Sequence, residues 1–282
     1  MKKQQIILIS GAVALLFIIY FFGNNVPPVE KQPVASDSHQ TEEAPLDINT
    51  ILSASKRQLT PDQSSFVTRL EAAVVRGNVK DQQISVYKQL AEFWKDTVHL
   101  LLPYSYYTAE AAKLENSEKS LTFAAQFFAG NMRRQQEPAL KKWMAIQAKE
   151  LFEKALQINP ASDSLKIGLG SCYLFGNITD NPMQGISLIR EVAARDSTNM
   201  YAQFMLGMGG LVSGQLDLAI QRLLKVARYE PKNAEAVLAL ADAFERKNDK
   251  ANAIMWYEKG KELIGDPEFL KEIDQRITLL KT

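Results

Sequence analysis

Cysteine is almost absent from this chain: Cys172 is the only one among 282 residues. One thiol excludes an intrachain disulfide and a thiolate zinc cluster, and it leaves the redox compartment undetermined. Histidine is nearly as scarce. His39 lies in a polar stretch and His99 beside Leu100, Leu101 and Leu102, and two such distant imidazoles build no metal site. Net charge is lacking too, since 33 Lys and Arg against 32 Asp and Glu leave +1. No global field then draws in nucleic acid, so partners must be recognised by shape and local contacts. Segments alternating apolar and polar residues, the mark of half-buried strands, are missing. No Ser or Cys stands beside a plausible base, so nucleophilic catalysis lacks its parts, and no catalytic residue, cofactor or metal is expected. Gly207, Gly209 and Gly210 fall inside a helical pattern with no strand before them, which reads as close helix packing and not as a phosphate cradle.

Long apolar runs are also rare, with one exception. Ile6 to Phe22 is interrupted only by Ser10 and Gly11, and as a helix it covers about 25 Å, short for a bilayer but within range. Tyr20 to Pro27 offers no small-x-small cleavage site, which favours an uncleaved anchor over a signal peptide; a buried core helix is the other reading. Lys2 and Lys3 precede the run and the next cation is Lys31. The positive-inside rule therefore places the N-terminus in the cytoplasm and the bulk of the chain across the membrane. In a bacterium this is a single-pass inner-membrane protein with a periplasmic domain. Residues 1–23 form the anchor, and 24–46, with Pro27, Pro28, Pro33 and Pro45, read as a disordered or polyproline-like tether.

Beyond Asp47 the pattern is helical. Thr60-Pro61-Asp62-Gln63 has an N-cap hydroxyl, proline at the first helical position and Gln at the capping-box position, followed by Phe66, Leu70, Ala73 and Val74 on one face. A second helix from Asp81 carries Ile84, Tyr87, Leu90, Ala91, Trp94 and Val98, with Pro103 expected to stop it. Residues 47–117 are thus helical but only loosely repetitive.

The strongest signal is an internal repeat. Ala148, Gly185, Ala219 and Ala253 are spaced by 37, 34 and 34 residues, and each is followed four positions later by a large residue: Phe152, Ile189, Leu223 or Tyr257. Ala155, Val192, Val226 and Gly260 follow in register, as do Leu169-Gly170, Leu206-Gly207 and Leu240-Ala241 on the intervening helices. Small residues let paired backbones approach, large ones fill the seam, and pairs must stack because none buries its apolar face alone.

This pattern resembles the tetratricopeptide repeat (TPR). The resemblance implies an all-α solenoid of antiparallel helix pairs, preceded by one transmembrane helix. The units are an irregular one at 118–162, regular ones at 163–199, 200–233 and 234–265, and a capping helix at 266–282, with Phe269, Ile273, Ile277 and Leu280 inward. About eleven extra residues near Arg133 to Lys142 either lengthen helices or form a projecting loop, and Arg133, Arg134, Lys141 and Lys142 read as a solvated helix face.

By the same resemblance the chain is a non-catalytic scaffold or chaperone-like module, binding a protein or peptide in a concave groove. The groove positions are Ile167, Ser171 and Leu174; Tyr201, Phe204, Met208 and Leu211; and Glu235, Leu238, Asp242 and Glu245. A clamp for a peptide C-terminus would need Lys, Asn and Arg at several of these places, and they are absent. An apolar segment meeting Phe204 and Met208 is expected instead, with Phe204→Glu and Met208→Glu together leaving helicity intact. Packing of Tyr201 and Phe204 against the next repeat is the other reading. The alternative function is a structural accessory subunit or homo-oligomer with no exchangeable client. Membrane contact runs through residues 6–22.

Overall fold

The computed structural model describes residues 46–76, 79–179 and 181–282. The expected anchor, and all of the tether but Leu46, lie outside them. Among the described residues there are thirteen α-helices and no strand, and no helix is long and apolar enough to cross a membrane.

The chain enters through α1 (Ile48–Lys56), α2 (Pro61–Arg76), α3 (Lys80–Glu92) and α4 (Leu101–Glu115). The start of α2 is a reciprocal capping box: Gln63 N–H donates to Thr60 Oγ1 at 3.3 Å, and Thr60 N–H to Gln63 Oε1 at 3.0 Å. Pro103 does not stop α3, contrary to the sequence reading. That helix gives way at Glu92 to a π-turn, Phe93–Thr97, and His99 takes a left-handed φ of 60°. Pro103 falls in the first turn of α4, where its missing N–H forfeits no helical bond. Trp94, buried completely, anchors this corner against Leu70, Leu90 and Tyr107.

The array proper pairs α5 (Glu118–Arg134) with α6 (Pro138–Ile158), α7 (Asp163–Phe175) with α8 (Met183–Arg195), α9 (Met200–Val212) with α10 (Leu216–Tyr229), and α11 (Ala234–Arg246) with α12 (Lys250–Lys261). The extra residues of the irregular unit enter the helices: α5 has 17 residues and α6 has 21, against 13 in α7. Glu137 caps α6, accepting from Ala139 N at 2.8 Å and Leu140 N at 2.5 Å.

The small residues act as the repeat pattern requires. A Cβ placed on Gly185 would lie 2.4 Å from the carbonyl oxygen of Gly170, and one on Gly207 would lie 2.8 Å from Leu223. Ala148, Ala219 and Ala253 are fully buried at the corresponding seams, filled by Phe152, Ile189, Leu223 and Tyr257. The turns repeat as well. Asn177, Gly214 and Asn248 have φ of 51°, 73° and 61°, a left-handed conformation that Gly and Asn tolerate best, at the same 37- and 34-residue spacing. Asn199 and Asn233 cap α9 and α11, accepting at 3.0 Å from Ala202 N and Ala236 N.

Successive first helices touch directly, α5 with α7, α7 with α9 and α9 with α11, whereas each second helix packs chiefly on the first helices of its own and the following unit. The first helices therefore form one continuous layer, the inner one, to which the resemblance of the repeats assigns the concave face. The last helix, α13 (Pro267–Lys281), packs on α12. Ile273 and Ile277 are buried as expected; Phe269 is not, at 39% exposure, because Asp266 caps the helix by accepting from the N–H groups of Glu268 and Phe269, so Phe269 sits in the first turn, ahead of the contact.

Candidate partner-binding face

The inner helices differ in polarity from end to end. α7 and α9 hold apolar or small residues nearly all round, and nine residues of each are buried. This is possible because both are sandwiched between their own second helix and two neighbouring first helices. The expected groove residues divide accordingly. Ile167, Ser171, Leu174, Phe204 and Leu211 are buried. Met208 and Leu238 are half-buried, as is Asp242, whose carboxylate pairs with Arg246 at 2.9 Å. Tyr201 stands out with 47% of its surface exposed.

Ile167, Leu174, Phe204 and Leu211 join one apolar cluster, with Met208 packed at its edge. Ser171 satisfies itself, donating from Oγ to the Gly168 carbonyl at 2.7 Å. Leu238 packs with the cluster of the last unit, beside Ala241 and Tyr257. Of the two readings of Tyr201 and Phe204, packing describes Phe204 and exposure describes Tyr201. Phe204 is therefore not a surface position that takes a glutamate freely: a carboxylate there would replace a ring within the core.

Arg133, read from sequence as part of a solvated basic stretch, has a different place. It lies in the last turn of α5 and reaches over to Glu235 in the first turn of α11, with Nη1 to Oε1 at 3.0 Å and Nη2 to Oε2 at 3.5 Å. Its guanidinium also sits over the Phe204 ring, 5.9 Å from the centroid. The two residues are 102 apart in sequence, and the bridge passes over α7 and α9, whereas solenoid units ordinarily meet only their neighbours. Each charge sits at the helix end whose dipole favours it, a cation at a C-terminus and a carboxylate at an N-terminus. Tyr201 stands in the same field: burial pushes its phenol pKa up, the Arg133 charge opposes this, and Glu235 adds to it. No local motif announces Arg133; the only trace in sequence is the surplus length that carries α5 beyond its successors.

A recess lies between α3, α4 and α5, a cavity of about 310 Å³ walled by Lys88, Tyr104, Thr108, Glu115 and Phe123. Lys88 and Glu115 form an ion pair across it, and Phe123 is 54% exposed.

Cys172 is fully buried in α7, its thiol directed at the Gly168 carbonyl at 3.3 Å. Burial pushes this thiol up to about 12, so almost no thiolate exists at neutral pH. Native protein should accordingly react with Ellman's reagent only at the rate of opening, while urea-unfolded protein should release one equivalent at once; prompt native labelling would contradict the burial.

Set beside known proteins, the chain resembles a number of solved structures at low identity, among them the following. The crystal structure of MamA protein is 17% identical, covering 64% of this chain and 91% of that one with a TM-score of 0.44. MamA from Desulfovibrio magneticus RS-1 is 18% identical over 64% and 94%, at 0.43. YrrB, described as a TPR protein with an unusual peptide-binding site, is 17% identical over 73% and 96%, at 0.44. No curated protein matches the chain in sequence. Residues 234–267, which comprise α11, α12 and the start of α13, match the tetratricopeptide repeat family, and the helix pairs α7–α8 and α9–α10 before them are built on the same plan.

Proposed function

We propose that this chain is a non-catalytic protein-interaction module, a scaffold or chaperone-like subunit that takes a partner segment on the concave face of its repeats. The observation that carries this reading is Tyr201, a large aromatic side chain 47% exposed on an inner helix, within the field of a partly exposed ion pair and on the same stripe of α9 as Phe204 and Met208 by its three- and seven-residue spacing. Aromatic side chains with one wet face are favoured anchors for protein partners. The membrane part of the proposal rests on the apolar run from Ile6 to Phe22 behind Lys2 and Lys3, which would hold the repeats at the periplasmic side of an inner membrane.

The test is photocrosslinking in intact cells from an unnatural residue at position 201, with exposed Lys271 on α13 as the control site. A varied set of exported proteins crosslinked from 201 alone would mark a chaperone-like role, and one dominant adduct a dedicated scaffold. Only self-adducts would favour the homo-oligomeric reading. Adducts no different from those at Lys271 would refute a concave binding face.

A further inference from the structure

The Arg133–Glu235 bridge points to the chemistry of the partner. Its two members are unequally held. Arg133 keeps only 25% of its side-chain surface exposed and lies over the Phe204 ring, while Glu235 is 55% exposed. Glu235 therefore retains much of its hydration, and an exposed pair of this kind contributes little to stability. Arg133 in contrast is positioned by its stem and by the ring beneath it, and its planar fork matches a carboxylate with two parallel hydrogen bonds. Losing Glu235 would leave a positioned, partly desolvated guanidinium with its fork vacant.

Resting on the reading of the concave face as the binding face, we infer that Arg133 is the receptor for a partner's carboxylate, and that Glu235 is the chain's own stand-in for it, displaced when the partner arrives. The partner segment carries an Asp or Glu adjoining an apolar residue. The acid meets Arg133, and the apolar neighbour lies on Tyr201 and Met208; Tyr201 and Phe204 share a face of α9 at three-residue spacing. Arg134, exposed beside Arg133, adds to the positive potential there. Arg133 is not among the positions that the repeat pattern itself assigns to the groove. It is available because α5 is one turn longer than the inner helices that follow it.

The test uses the full chain in detergent and a short fluorescein-labelled peptide of alternating glutamate and leucine, followed by anisotropy, with a lysine–leucine peptide as control. The acidic peptide should bind, and binding should weaken with salt. Glu235→Gln removes the internal competitor and should tighten binding about two- to fivefold. Arg133→Gln should weaken it roughly tenfold or more. The exchanged variant Arg133→Glu with Glu235→Arg keeps the net charge and should lose the preference for the acidic peptide, and an unchanged circular dichroism spectrum and urea midpoint separate recognition from folding. Equal binding of both peptides, no binding of the acidic one, or a Glu235→Gln variant no tighter than the parent would overturn the inference. If crosslinks from position 201 still capture partners in that event, the concave face stands as the binding face and only its carboxylate receptor falls.

Discussion

Phe204→Ala is expected to lower the stability of the array by about 3–5 kcal/mol, as for other large aromatics removed from cores, while Tyr201→Ala three positions away should change it by no more than about 0.5 kcal/mol. Phe204 is 4% exposed and belongs to an apolar cluster with Ile167, Leu174 and Leu211; Tyr201 is 47% exposed. Deleting the Phe204 ring leaves a cavity that α7 and α9 cannot close, because both are fixed on several sides by neighbouring helices. It also strips Arg133 of the surface beneath it. Urea denaturation followed by circular dichroism measures both effects. A Phe204→Ala protein as stable as the parent would show that the inner face is loosely packed. The consequence for functional work is direct: loss of binding in a Phe204→Glu and Met208→Glu protein would report disruption of the core, so substitutions at Tyr201, Arg133 and Glu235 are the informative ones.

The second large effect concerns two glycines with opposite expected signs. Gly185→Val should destabilise by about 3 kcal/mol or more, at the upper end of overpacking. Its Cβ would fall 2.4 Å from the Gly170 carbonyl oxygen and 2.8 Å from the Tyr173 Cβ, and neither atom can swing aside as a side-chain tip would. Relief requires α7 and α8 to separate along the seam that Ile189 and Val192 fill. Gly130→Ala in α5 is the matched control. Apart from the neighbouring backbone of its own helix, no atom lies within 4 Å of the added carbon, so only the backbone preference remains, and stability should rise by about 0.5–1 kcal/mol. Urea midpoints measured in parallel decide both. A destabilising Gly130→Ala would mean that something packs over α5 at that point, and a neutral Gly185→Val would mean that the α7–α8 seam is looser than the glycines indicate.

The repeat was legible because its cause is local and recurs. Each pair needs a small residue where backbones cross and a large one a turn later, so Gly185, Ala219 and Ala253 with Ile189, Leu223 and Tyr257 announce the architecture by spacing alone. The turn residues Asn177, Gly214 and Asn248 repeat at the same interval and are a further signal of the same kind, since a left-handed turn restricts which residues fit. The capping box at Thr60 and the caps at Asn199 and Asn233 are likewise decided within four residues. Pro103 was misleading for a related reason: proline marks either the end of one helix or the first turn of the next, and the π-turn at Phe93–Thr97 that shifts the boundary depends on Trp94 finding its place in the tertiary core.

The sequence by itself thus determined the helices, their pairing and the seams between them, because those rest on contacts between residues close along the chain. Which positions of each inner helix meet solvent was decided only by the tertiary structure. Tyr201 and Phe204 are equally apolar in pattern, and the stacking of α5, α7, α9 and α11 buries one and leaves the other exposed. The placement of Arg133 against Glu235 belongs to the same class. It depends on how several stacked helix pairs bring together residues 102 apart in sequence, which no local pattern encodes.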